Sequence, residues 1–147
     1  LFRSGKEGYI GGDIDYTLRA FPNHYRALSS MSKLSVREQA AMPRGAKFTV
    51  QCYFDRAIHF KPDDGMVRLV YAIHLDQAGK KDEALTQMLE AYKLLPESAN
   101  VNYNLGLFYA DRKDFDNALV HAKKAYDLGF PLPGLKNRLA KAGKWKD

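Results

Sequence analysis

Two helical patterns of apolar residues, separated by a charged segment, lie in NLGLFYADRKDFDNALVHA, residues 104–122. Leu105, Gly106 and Tyr109 share one face of a first helix, and Ala118 begins the inward face of a second. The segment DRKDFD between them is too polar to be buried. The pattern therefore predicts two helices joined by a solvated turn.

The same pattern recurs 34 residues earlier, in VYAIHLDQAGKKDEALTQMLEAYKLLP. A bulky–small pair, a large residue three positions on, three small or apolar positions and a terminal break all reappear at one fixed spacing. The aligned positions are Leu105–Gly106 with Tyr71–Ala72, Tyr109 with Leu75, Ala118 with Ala84, Ala122 with Met88, Ala125 with Ala91 and Phe130 with Pro96.

A weaker copy precedes these two. FTVQCYFDRAIHFKPDD carries the second-helix spacing, and YRALSSMSKLS (Tyr25–Ser35) is its first helix, with Met31–Ser32 as the bulky–small pair. Residues 25–64 exceed the 34-residue period by six, and the excess lies in VREQAAMPRGA, where Pro43 and Gly45 indicate an enlarged turn.

Incomplete units lie at both ends. Residues 10–24 contain only a second helix, DIDYTLRAFPNH, preceded by a predicted turn in SGKEGYIGG. Pro131 and Pro133 break the chain before residues 133–147, where Leu135, Leu139 and Ala142 share one face. This amphipathic helix is of the kind that caps a solenoid.

The period and its size classes resemble the tetratricopeptide repeat family, and AGKKDEALTQMLEAYKLLPES matches that family's pattern almost residue for residue. The resemblance implies one all-α domain over residues 1–147, a right-handed α-solenoid of antiparallel helix pairs. Its units are a partial repeat (10–24), a degenerate repeat (25–64), two regular repeats (65–98 and 99–132) and a capping helix (133–147).

The small residues have an architectural explanation. A glycine inside a helix costs about 1 kcal/mol relative to alanine, so Gly106 indicates a close helix crossing that recovers this cost. Ala72, Ser32, Ala84 and Ala118 have the same role. At the solvated turns, the N-cap candidates for the second helices are Asp82 and either Asp114 or Asp116.

The resemblance also implies a concave groove, lined by the first helices, that holds a peptide or helix of a partner protein. We expect an apolar centre with polar edges, to which Asp76 and Asp111 also contribute. At the positions where carboxylate-binding members of the family carry basic or amide side chains, only Lys33 has that character. The predicted groove residues are Arg26, Ser29, Lys33, Met66, Leu69, Val70, Ile73, Asn100, Tyr103, Asn104 and Leu107.

Two other uses of these surfaces stay open. The groove is also explained by a second copy of the chain or a missing segment that fills it. Alternatively, basic residues at the two ends bind nucleic acid or an anionic surface. The net charge of +6 is unevenly placed, because residues 63–132 carry eight basic and eleven acidic groups. This distribution disfavours the continuous basic stripe of a nucleic-acid binder. The end patches are Arg37, Arg44 and Lys47, and Lys136, Arg138, Lys141 and Lys144.

Catalytic chemistry is not indicated. The four histidines form neither HxxxH nor HExxH, and they are expected to be exposed or partly packed, His74 being the nearest to the groove. Cys52, the single cysteine, is expected to be a buried structural thiol. GKEGYIGGD lacks the order of a phosphate-binding loop. We therefore expect no enzyme activity, cofactor or metal.

Bulk composition is that of a globular protein. Apolar residues make up 46% and charged residues 27% of the 147, and no apolar run is long enough for a transmembrane helix. The chain begins with Leu1 rather than methionine. Together with the resemblance, this start favours a bacterial protein, periplasmic rather than cytoplasmic.

Overall fold

The computed structural model describes residues 10–147, which form helices and connecting turns without a strand. The fold is an all-α solenoid of antiparallel helix pairs, as predicted. The division into repeats stays a prediction. The helices are α1 (Ile10–Ala20), α2 (Tyr25–Glu38), α3 (Val50–Phe60), α4 (Gly65–Gln77), α5 (Lys81–Leu94), α6 (Ala99–Asp111), α7 (Phe115–Asp127) and α8 (Gly134–Lys141).

Side-chain caps define where most of these helices begin. An N-cap side chain accepts a hydrogen bond from a backbone N–H of the first turn and so satisfies a group without an intrahelical partner. Asp114 caps α7, as predicted. The prediction for Asp82 is wrong, because α5 begins at Lys81 and Asp82 lies within its first turn. There the negative charge of Asp82 stabilises the positive end of the helix dipole. The other side-chain caps are His24, Thr49, Asp64 and Ser98.

In two of the helix pairs, small residues allow the two helices of the pair to approach each other closely. Ala72 and Ala84 are fully buried between α4 and α5, and Ala118 and Ala122 are fully buried on α7. The backbones of α2 and α3 approach each other closely at fewer places than those of the two later pairs. In α3 the bulkier Val50 stands where α5 and α7 have alanine.

Gly106 approaches α8 more closely than it approaches α7, its partner in the helix pair. A methyl group built on Gly106 would lie 2.5 Å from Leu135 Cδ2, on α8. The same methyl group would lie 3.4 Å from the Ala118 carbonyl oxygen and 3.5 Å from the Ala122 nitrogen, which are ordinary contact distances. The glycine therefore makes room for α8 more than for α7.

The enlarged turn between α2 and α3 packs directly on α1. A methyl group on Gly11 would lie 1.9 Å from the Arg44 carbonyl oxygen, and Gly45 has a φ of +87°, which favours glycine. Gly11 and Gly12 belong to α1 rather than to the turn predicted in SGKEGYIGG. The rest of that turn, up to Tyr9, lies outside the described residues.

A cluster of buried polar groups joins α1, α3 and the enlarged turn before α3. The Tyr53 hydroxyl donates to Asp15 Oδ1 at 2.5 Å and accepts from the Lys47 backbone N–H at 3.0 Å. Burial, followed by the hydrogen bond to Asp15, raises the pKa of Tyr53 to about 12, so the phenol keeps its proton. Arg19 completes the group through its Nε, 2.9 Å from Asp15 Oδ2.

Helix α8 packs on the last helix pair, α6 and α7. Leu135 and Leu139 are fully buried against α6 and α7. Ala142 was predicted on the same face, but it follows the last helical residue and is exposed. Within residues 10–147, no helix combines the length and the apolar character that crossing a membrane requires.

Candidate partner-binding groove

A small cleft opens between α2 and α4, on the surface where the sequence predicts the groove. Its volume is about 40 Å³. Four predicted groove residues come together there: Ser29 and Lys33 from α2, and Val70 and Ile73 from α4. We call this the α2–α4 cleft, and its complete lining is Ser29, Ser32, Lys33, Val70, Ile73 and Gln77.

The centre of the predicted groove is less accessible than the sequence suggests. Leu69 is only 2% exposed and packs in the core beside Leu75 and Leu105. Its side chain therefore offers a partner no surface in this conformation. Val70 is 9% exposed, so only an edge of it reaches the cleft. Ile73 is half-buried and gives α4 its accessible apolar contact.

Tyr103 is also covered, by the segment that leads into α8. Its ring stacks on Phe130 with 3.9 Å between centroids, and 9% of the residue is exposed. A methyl group on Gly134 would lie 2.8 Å from the Tyr103 hydroxyl. In the sequence, this contact is indicated by Phe130, an aromatic residue at the position that aligns with Pro96, 34 residues earlier.

The remaining groove residues of α6 are more accessible. Asn100 is exposed, and Asn104 and Leu107 are half-buried. Asn104 Nδ2 donates to the Asn100 carbonyl oxygen at 2.9 Å and to Asn100 Oδ1 at 2.7 Å. This part of the groove therefore presents an amide pair and one aliphatic side chain. Met66, on α4, is half-buried against the core.

Both carboxylates expected at the groove edge are already paired. Asp76 Oδ1 lies 3.1 Å from Lys81 Nζ and 3.5 Å from an Arg112 nitrogen. Asp111 forms an ion pair with Arg138 of α8. These contacts tie each first helix to a neighbouring element, and they reduce the negative charge available to a partner.

Unpaired positive charge collects at the N-terminal end of the groove. Arg26, Lys33 and Arg37 are exposed on α2. None of the three has an ion-pair partner among residues 10–147. The Arg26 guanidinium instead lies 5.2 Å from the centroid of the Tyr25 ring. The groove is thus positive at α2 and neutral at α6.

Two histidines join neighbouring helices: His74 joins α4 to α2, and His121 joins α7 to α6. His74 Nδ1 lies 2.7 Å from Ser32 Oγ, and its ring packs 5.1 Å from that of Phe54. His121 Nδ1 lies 3.0 Å from Oδ1 of the fully buried Asn102. Burial is the main cause that lowers the pKa of both histidines. They are packing residues, partly buried as predicted.

The other candidates for chemistry are not brought together. Cys52 is half-buried rather than buried, because the adjacent Tyr53 and Phe54 take the inward positions of α3. Across residues 10–147, the structure holds no group of three or more His, Cys, Asp or Glu side chains arranged for a metal ion.

The C-terminal basic patch is partly engaged within the chain. Besides the Arg138–Asp111 pair, Lys136 Nζ lies 5.2 Å from the Trp145 ring centroid, and Lys144 Nζ lies 5.8 Å from that of Phe115. The pair with Asp111 joins α8 to α6, and the contact of Lys144 with Phe115 joins the residues after α8 to α7. The patch therefore contributes to packing as well as to surface charge.

Comparison with known proteins identifies the architecture. Neither protein-family models nor curated protein sequences give a match. Solved structures do match. MamA is 18% identical, with 98% of this chain and 86% of that chain covered and a TM-score of 0.63. YrrB, described as a TPR protein with an unusual peptide-binding site, is 24% identical over 90% of this chain and 64% of that one, with a TM-score of 0.61.

A third match is TTC0263, a thermophilic TPR protein in Thermus thermophilus. It is 18% identical over 88% of this chain and 69% of that one, with a TM-score of 0.63. The chain spans 64% of the MamA RS-1 ArsTM double mutant and 63% of MamA MSR-1 C2. At these identities the likeness concerns the fold.

Proposed function

We propose that this chain, which has the tetratricopeptide repeat fold, is a non-enzymatic scaffold that holds a helix or extended peptide of a partner protein in its groove. The observation that carries the proposal is the α2–α4 cleft. There the half-buried Ile73 and the edge of Val70 stand beside the unpaired Lys33. A peptide-binding site in YrrB, a protein of the same fold, supports this class of function.

The side chains also indicate what the groove accepts. Ile73 and Leu107 offer apolar contacts, Asn100 and Asn104 offer amides, and Lys33 offers a positive charge at the α2 end. A ligand with an aliphatic stripe and an acidic residue towards α2 matches this order. Because none of the predicted groove residues on α4 and α6 is basic, the groove does not suit a partner recognised mainly by its terminal carboxylate.

The test is a selection of helical peptides from a displayed library against the whole chain, followed by affinity measurements on the variants Ile73→Glu and Leu107→Glu. A buried or half-buried carboxylate without a partner is strongly unfavourable in an apolar contact. Both variants should therefore lose the selected peptides. Val120→Glu is the matched control, since Val120 is 61% exposed on α7. It should bind normally, and all variants should keep the wild-type helical circular dichroism.

Three results would redirect the proposal. Undiminished peptide binding by Ile73→Glu and Leu107→Glu would overturn the groove assignment. A dimer in sedimentation equilibrium that Ile73→Glu dissociates would make a second copy the occupant. Binding to RNA or DNA that weakens steeply with added salt would instead favour the basic end patches, including Arg44 and Lys47.

A further inference from the structure

A basic surface with an exposed apolar segment lies where α7 meets α8, and it includes none of the predicted groove residues. Tyr126 of α7 holds its parts together. The Tyr126 hydroxyl donates to the Leu132 carbonyl oxygen at 2.9 Å and accepts from the Lys136 backbone N–H at 3.1 Å. The Tyr126 ring meets the Trp145 ring edge to face, with 6.0 Å between centroids. We call this the Trp145 surface, and its residues are Lys123, Pro131, Leu132, Pro133, Lys136 and Trp145.

Three consecutive apolar residues, Pro131, Leu132 and Pro133, are all exposed on this surface, and Leu132 is 57% exposed. A run of exposed apolar residues is unfavourable in water and marks a contact with another molecule. Each proline fixes its own φ and restricts the residue before it, so the backbone on both sides of Leu132 is stiff. Little backbone freedom is therefore lost when the leucine is covered.

Positive charge lies beside the apolar segment. Lys123 Nζ lies 5.5 Å and Lys136 Nζ 5.2 Å from the centroid of the Trp145 ring. Neither lysine has an ion-pair partner among the described residues. Residues 123–147 carry seven basic and two acidic groups, and two of the basic groups form ion pairs. The charge that remains unpaired favours an anionic partner.

We propose that the Trp145 surface binds the surface of a lipid bilayer that contains anionic headgroups. The lysines lie among the headgroups, where each basic side chain strengthens binding to an anionic leaflet. Leu132 and the Trp145 ring reach the boundary between headgroups and acyl chains, which favours apolar and aromatic side chains. The charge and the apolar segment of this surface thus match two adjacent layers of one bilayer.

Nucleic acid fits the same surface less well. Bases stack on free aromatic faces, but Trp145 is half-buried, and two lysine ammonium groups and the Tyr126 ring already lie against it. The exposed aliphatic side chain of Leu132 also gains nothing from a phosphate backbone. The bilayer therefore accounts for both features of the surface, whereas nucleic acid accounts only for the charge.

Co-sedimentation of the whole chain with lipid vesicles tests the inference. One set of vesicles is phosphatidylcholine alone, and in the other about one lipid in three is phosphatidylserine. The chain should bind the anionic vesicles at least about tenfold more tightly, because several lysines gain from the negative surface. Trp145 is the single tryptophan of the chain. Phosphatidylcholine brominated in its acyl chains should therefore quench the protein's tryptophan fluorescence when it is included in the anionic vesicles.

Matched variants locate the contact. Leu132→Ser should weaken binding to the anionic vesicles about tenfold, because its apolar side chain is no longer available for burial. Val36→Ser is the control, since Val36 on α2 is also 57% exposed, and it should bind as the wild type does. Lys136→Ala should weaken binding about fivefold. Arg37→Ala removes the same charge from α2 and should not weaken it. All four variants should keep the wild-type helical circular dichroism.

Several results would overturn the inference. Equal binding to the two kinds of vesicle, absence of binding, or undiminished binding by Leu132→Ser would each refute it. Losses in Val36→Ser and Arg37→Ala would place the bilayer at α2 instead. Binding of a single-stranded oligonucleotide that Lys136→Ala weakens, without binding to vesicles, would make nucleic acid the partner. Ile73→Glu, in the α2–α4 cleft, should leave vesicle binding unchanged, so a failure of the groove proposal is distinguished from a failure here.

Discussion

Replacement of Gly106 by alanine distinguishes two explanations for the glycine, the approach of α7 and the approach of α8. Alanine stabilises a helix interior by about 1 kcal/mol relative to glycine. In this fold, however, the new methyl group would lie 2.5 Å from Leu135 Cδ2. An extra methyl group in a filled core costs about 1–3 kcal/mol. The two effects together predict that Gly106→Ala lowers the free energy of unfolding by about 1 kcal/mol.

The sign should reverse once Leu135 is shortened. Leu135→Ala alone costs about 2–5 kcal/mol, because the leucine is fully buried. It also removes the atom that Gly106→Ala would strike. The remaining neighbours, on Ala118 and Ala122, stay at ordinary contact distance. In this background Gly106→Ala should therefore stabilise the protein by about 1 kcal/mol, which gives a coupling energy of about 2 kcal/mol.

Urea denaturation of the four proteins, followed by helical circular dichroism, measures this cycle. The denaturant slope should be the same in all four, so that the midpoints report stability. If Gly106→Ala destabilised the protein equally with and without Leu135, the coupling would be absent. The approach of the α7 backbone, and not that of α8, would then require a glycine at this position, and its assignment to the approach of α8 would be refuted.

Two further predictions concern buried polar groups. In the folded protein the pKa of His74 and of His121 is lowered from the ordinary value of 6.5. Below pH 6.5 the unfolded chain therefore binds more protons than the folded chain does. The free energy of unfolding should therefore fall as the pH drops below 6.5, by at most about 1.4 kcal/mol per pH unit for each histidine, and thermal unfolding measures this. The double variant His74→Asn, His121→Asn should flatten the dependence on pH. The control His59→Asn, at an exposed position, should not. Tyr53→Phe should lower the free energy of unfolding, measured by urea denaturation, by about 1–3 kcal/mol, because Asp15 loses a buried hydrogen-bond donor. Tyr16→Phe is the control, since Tyr16 is 71% exposed. An effect of Tyr53→Phe no larger than that of the control would contradict the prediction.

Much of the fold follows from local pattern. The spacing of Ala84, Met88 and Ala91 and its recurrence 34 residues later predict helix pairs, because each small or apolar position lies on one helical face. Turns rich in charged residues separate those faces. Because such patterns are local, they can be recognised in the amino-acid sequence alone.

Accessibility at the candidate site is a different matter. Leu69 and Tyr103 are predicted groove residues, yet both are buried, Leu69 by the core and Tyr103 by Phe130. Cys52 differs in the opposite direction, since its neighbours Tyr53 and Phe54 compete successfully for the inward face. Periodicity gives the face of a helix, but only the packed neighbours determine how much of that face remains exposed.

The sequence by itself determined the helical pairs, their period and the small residues at their crossings, because these depend on spacing along a single helix. Tertiary structure decided which neighbour requires Gly106, which carboxylates are already paired and where a cleft remains between α2 and α4. Each of these depends on atoms that are distant in the chain. Gly106 and Leu135 illustrate the distinction, since their contact exists only once α8 has folded over α6.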